Sequence, residues 1–86
     1  MLTYKAAYQF TDDGVHAHVL DFPSAISCGS DLTEARRMLS SALLELAEYA
    51  IECGEPLPRP DPTLFDPDAD IEEPIQLRGS LSETTI

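Results

Sequence analysis

Sixteen acidic and five basic side chains give this 86-residue chain a formal net charge of -11. The length allows one domain with a modest core, hiding only about 60–65% of the unfolded surface, and the 43% hydrophobic share excludes wholesale disorder. The charge argues against free nucleic-acid binding, which needs Lys and Arg to neutralise phosphates, and favours a basic protein partner.

Leu2, Tyr4, Ala6, Tyr8 and Phe10 alternate with Thr3, Lys5, Ala7 and Gln9. Side chains along a strand point to opposite faces in turn, so this pattern predicts a half-buried strand with its aromatic face inward. Thr11-Asp12-Asp13-Gly14 supplies a turn. Residues 15–20 form the return strand, with Val15, Ala17 and Val19 on one face and His16, His18 and Leu20 on the other. Pro23 lacks a ladder donor, so the second strand is expected to end near Asp21-Phe22, with a short third strand over 25–28.

A helix follows. Asp31 with Glu34 three residues on fits a capping box. Leu32, Ala35, Leu39, Ala42, Leu43, Leu46, Ala50 and Cys53 then recur at three- and four-residue spacing, and Gly54 is placed to end the helix in a left-handed conformation. The element is about 30 Å long at the usual rise per residue, enough to cross a three-stranded sheet. These elements predict an α+β, two-layer domain, an antiparallel sheet covered by one long helix.

Six of the seven prolines lie beyond Gly54, and from Glu55 onward eight acids against two bases leave a net of -6. Residues 57–70 therefore read as an extended linker. Residues 71–77 are a possible fourth strand, confined to a sheet edge by Pro74, and 78–86 is expected to be mobile. The expected division is a β-β-β-α core over 1–58 and an acidic, Pro-rich segment over 59–86, with no separate DNA-binding domain. No hydrophobic run is long enough to span a membrane and no basic, apolar N-terminal signal is present, so a cytoplasmic protein is expected. Cys28 and Cys53, which form no C-x-x-C pair, are then expected to be buried reduced thiols.

His16 and His18 share a strand face with Cys28 on the neighbouring strand, a conceivable zinc set, but closed zinc sites come from tight ligand pairs and exposed histidines are the simpler reading. Asp12 and Asp13 are explained by the turn and Asp31 by the cap. Asp21 alone lacks a structural task, and one carboxylate makes no metal site. No triad and no phosphate-cradling glycine loop is present, so no enzyme, cofactor or metal is expected. What remains is a mostly apolar corner: Leu20, Phe22, Pro23 and Ile26 gather with Asp21 beside a sheet face with no predicted cover, and these five are the candidate partner-binding residues.

With corner and helix placed, the chain resembles the HicB-like antitoxin family of bacterial toxin–antitoxin systems. The carriers are Asp13-Gly14 at the hairpin, Asp21-Phe22-Pro23 at the family's P-D-L-P-G corner, Cys28-Gly29, Asp31-Leu32-Thr33-Glu34-Ala35 at the helix start and Gly54-Glu55-Pro56-Leu57-Pro58 at its exit. Leu20 and Ser24 depart from the corner pattern, standing where the family has proline and glycine. The resemblance covers residues 2–58. It implies a β-β-β-α-β fold like a reduced ribonuclease-H fold without its catalytic carboxylates, homo-oligomerisation, and a partner, a small basic mRNA-cleaving toxin whose active surface the antitoxin covers. The competing expectations are a stand-alone self-associating interaction module without a toxin and, more remotely, a metal-dependent nuclease remnant.

Overall fold

The structure, a computed structural model, describes residues 2–77; the expectation for 78–86 lies outside the described residues. Four strands, β1 (Leu2–Thr11), β2 (Gly14–Val19), β3 (Phe22–Gly29) and β4 (Ile71–Leu77), form one antiparallel sheet in the order β3-β2-β1-β4, and helix α1 (Leu32–Glu52) lies between β3 and β4 in sequence. The α+β, two-layer expectation is met.

Register follows from the alternation read in the sequence. Tyr8 faces Ala17 and Ala6 faces Val19 across β1–β2, while Tyr4 faces Ile75 across β1–β4, and all six are buried against the helix side. From α1 come Ala35, Leu39, Leu43 and Ala47. Small side chains recur at the contact, with Ala6, Ala25, Ala35 and Ala47 fully buried. A helix can approach a sheet closely only where neither surface carries bulk, and Leu39 and Leu43 then fill the remaining space, each burial stabilising by roughly 1.5–3 kcal/mol.

Both helix ends obey local rules. Asp31 Oδ1 accepts from the Glu34 amide at 2.8 Å, and Glu34 Oε1 accepts from the Ser30 amide at 2.7 Å, a capping box reaching one residue further back than usual. At the other end Gly54 adopts φ +74°, its amide donates to Ile51 O, and the Glu55 amide donates to Ala50 O at 2.8 Å, the pair of bonds that defines a Schellman cap. Gly29 serves packing instead. A Cβ there would stand 2.5 Å from the Ala35 amide nitrogen, so its hydrogen is what lets the first turn of α1 rest on the end of β3.

Two expectations are corrected. β3 is longer than 25–28: it begins at Phe22 and includes Pro23, which an edge strand tolerates because its outward side needs no donor. A bulge between His18 and Val19 lets the chain turn this corner. Residues 57–70, expected as a linker, form a strap. Tyr4 Oη donates to Pro58 O at 2.7 Å, the Asp61 amide to Asp21 Oδ2 at 2.6 Å, Lys5 Nζ to Leu64 O at 2.6 Å, and the Asp70 amide to Tyr8 O at 2.8 Å. Self-repulsion of the acidic segment is offset by these anchors, and Lys5 supplies the single cation they need. The strap crosses the sheet face opposite α1, where Ala7 is left 1% exposed.

α1 is tied to β4 by an ion pair, Arg36 Nε to Glu73 Oε1 at 2.7 Å, with a second bond from Nη2 to Oε2 at 3.0 Å. The Arg36 bonds hold the Glu73 carboxyl below its ordinary range. Burial, then the charge of Glu73 and the hydrogen bond donated to it, push the Tyr8 phenol up from 10.0 to about 12. The fold thus favours neutral Tyr8, a stabilisation complete below pH 10 and lost as pH rises through about 12. Titrating tyrosinate absorbance should show Tyr8 ionising only as the fold fails in that window. Tyr8→Phe should remove this alkaline loss; an unchanged alkaline transition would refute the attribution.

Candidate partner-binding surface

The corner between β2 and β3 is built by Asp21. The residue is 7% exposed, and its carboxylate accepts two backbone amides, Lys5 at 2.9 Å through Oδ1 and Asp61 at 2.6 Å through Oδ2. The expectation that Asp21 has no structural task is corrected: it joins β1 to the strap, satisfying two donors that lie 16 residues before it and 40 after it in the chain. Beside it the Leu20 amide donates to Lys5 O at 2.8 Å, and the Phe22 ring meets Tyr4 edge-to-face, centroids 6.1 Å apart at 88°, a favoured aromatic geometry.

The five candidate residues therefore divide by depth. Asp21 and Phe22 are buried and shape the corner, Leu20 is half-buried, and Pro23 and Ile26 reach solvent, Ile26 at 64% exposure. Ile26 faces His18 across β2–β3, and His18 Nε2 lies 3.6 Å from Asp66 Oδ2 of the strap. Phe65, adjacent to Asp66 in the chain, is 71% exposed. An apolar group and an acidic one thus stand together on the outer face.

His16 faces Cys28 across the ladder and both are exposed. Cys53 is exposed too, so neither thiol is buried as expected. Among the described residues no group of three His, Cys, Asp or Glu side chains is arranged to hold a metal, and none of their helices is long and apolar enough to cross a membrane.

Under the strap runs a groove of about 560 Å³, lined among others by Tyr4, Lys5, Asp21, Asp61, Glu72 and Glu73. Hydrogen bonds from Thr63 hold the Asp61 carboxyl below its ordinary range, so it stays ionised. Lys5 is already engaged, with Glu72 3.8 Å away in addition to the two strap carbonyls. The remaining lining is acidic and apolar, suited to the cationic end and aliphatic stem of a Lys or Arg side chain. Sequence reasoning missed this wall because its parts come from β1, the corner, the strap and β4. The one available signal was Lys5, the lone base in the first 35 residues.

No family model matches the chain, and no curated protein does. Among solved structures, the chain is similar to the N-terminal domain of the Burkholderia pseudomallei antitoxin HicB, with a TM-score of 0.75 and 19% sequence identity over 90% of this chain and 99% of that one. At that identity the likeness is one of fold, and it is to a HicB-like fold that this four-stranded sheet with a single covering helix conforms.

Proposed function

We propose that the protein is a HicB-like antitoxin that binds a small basic mRNA-cleaving toxin and neutralises it by covering its active surface. The observation that carries the reading is the fold shared with an antitoxin domain across nearly its whole length. Charge supports it: a chain of net charge -11 steers a cationic ribonuclease to itself and repels that enzyme's RNA substrate. Pro23, Ile26 and the half-buried Leu20 form the apolar part of the contact, on a base set by Asp21 and Phe22. The acidic groove supplies the complement to basic side chains. The role is one of occlusion, without catalysis by this chain.

The test is co-expression with any short basic protein found to be encoded beside this one. Growth should be restored, a complex should be recovered, and purified antitoxin should suppress RNA cleavage. Affinity should fall as salt is raised, as expected of opposite charges. Ile26→Asp, which places a charge in the apolar part of the contact, should weaken the complex about tenfold or more, in the range of an interface anchor. A chain that neither binds that protein nor reduces its cleavage of RNA would end the antitoxin reading.

A further inference from the structure

Of the large apolar side chains that reach solvent among the described residues, Phe65 is the most exposed, at 71%. It belongs to the strap, outside residues 2–58 on which the family resemblance rests. Its neighbours are firmly held. The Leu64 carbonyl accepts from Lys5 Nζ of β1 at 2.6 Å, the Asp66 amide donates to Glu72 Oε2 of β4 at 2.7 Å, and Asp66 Oδ2 lies 3.6 Å from His18 Nε2 of β2. The backbone on both sides of Phe65 is thus fixed to three strands, while the ring itself stays in water. A slack loop is free to fold such a ring back onto apolar surface; a segment pinned on both sides holds it out.

Phe65 does not stand alone. Ile26, 64% exposed, faces His18 across β2–β3, and His18 in turn reaches Asp66, the residue next to Phe65. Around this apolar pair, Asp61, Asp66, Asp68, Asp70 and Glu72 make residues 60–72 a stretch of five acids without a base. An apolar patch with a polar rim marks a contact surface, and the sign of the rim selects what lies on it. Stacking of a nucleobase on the ring, or entry of the ring into a lipid surface, would bring phosphates against these acids. A protein whose apolar pocket is ringed by Lys and Arg complements both the patch and its rim.

We infer that Phe65 is the anchor of the partner contact, seated in an apolar pocket of a cationic protein while Ile26 packs beside it and the acids of the strap meet basic side chains at the pocket's rim. The inference rests on the antitoxin reading, in which that protein is the small basic toxin, and it moves the centre of the contact from the β2–β3 corner to the strap. Because the backbone on both sides of Phe65 is held before the partner arrives, seating the ring costs little conformational freedom. That is the condition under which one side chain carries a large share of an affinity. The strap then has two tasks, covering the sheet and displaying the ring.

Isothermal titration of the full chain with the basic protein identified by co-expression tests the inference. Phe65→Ala should raise the dissociation constant about tenfold or more, the scale of truncating an interface anchor. That ratio should persist as salt is raised, because an apolar contact is not screened. Phe10→Ala removes a ring that is 50% exposed at the hairpin end of β1 and should leave the affinity unchanged. Equal affinities for the wild type and Phe65→Ala would overturn the inference and leave the antitoxin reading standing. A loss that disappears at high salt would overturn it too, since the effect would belong to the acids, and so would a comparable loss in Phe10→Ala. A wild-type chain that binds no such protein ends both readings. If Phe65→Ala is misfolded by circular dichroism, hydrogen exchange of the wild type decides: the partner should slow exchange of the Phe65 amide, and exchange unchanged by the partner would overturn the inference.

Discussion

Replacing Gly29 by alanine is expected to destabilise the fold by about 2–3 kcal/mol, the upper part of the range for inserting a methyl group into a packed site. The new Cβ would meet the Ala35 nitrogen at 2.5 Å and the Ala35 Cα at 2.9 Å, and both are backbone atoms of the first helical turn. A flexible side chain could swing aside; a capped helix has to move as a body. Lifting it withdraws Ala35 and Leu39 from positions where both are fully buried. For a domain of this size such a loss lowers Tm by roughly 10–20 °C. Gly54→Ala is the control. That site has φ +74° with nothing within 4 Å, so it costs only the left-handed backbone penalty, about 1–2 kcal/mol. Denaturant titration of both variants separates contact from conformation: if Gly29→Ala were no worse than Gly54→Ala, the close approach of helix and strand would not be limiting.

Asp21→Ala is expected to cost about 3 kcal/mol. A charge-assisted hydrogen bond is worth about 1.5–3 kcal/mol, and Asp21 makes two; water reaching the vacated amides offsets part of the loss. The effect should also be localised. Without its acceptor the Asp61 amide should lose hydrogen-exchange protection, and the strap should become a protease target between Pro58 and Asp70, while Leu39 and Leu43 remain packed. Asp21→Asn keeps one oxygen acceptor and should retain about half of the stability. Unchanged protection at Asp61 in the alanine variant would show that the strap is held by its other anchors, at Tyr4, Lys5 and Tyr8.

The contrast between these two sites shows what a sequence can disclose. The helix and both its caps were legible because their determinants are local: Asp31 and Glu34 are three residues apart, and Gly54 follows the apolar stripe directly. The first hairpin was legible from period-two alternation about Asp12-Asp13. Asp21 was opaque because its partners are 16 and 40 residues away and are backbone amides, which leave no trace in side-chain pattern. The strap was hidden for the same reason, since Lys5 binds carbonyls of Pro62 and Leu64 and any residue carries a carbonyl. Composition suggested an extended segment; the segment carries turns at 62–63 and 67–68, and composition could not say that it lies against the sheet. Pro23 misled through a sound rule applied to the wrong strand position, the edge being where the rule relaxes.

The pairing of β1 with β4 has a consequence for how the chain reaches this state. β1, β2, β3 and α1 form from neighbours in sequence, whereas Leu2 must find Leu77 and Tyr8 must find Ile71. Closing so long a loop is entropically expensive and slow compared with forming a hairpin. The meander and helix are therefore expected to assemble first, with β1 temporarily a second unpaired edge and the Lys5 ammonium and Asp21 carboxylate waiting in water for the strap. Closure of the strap and arrival of β4 would form one late kinetic step. Until it occurs, the intermediate carries two open edges, and aggregation should compete with folding there more than at any other stage.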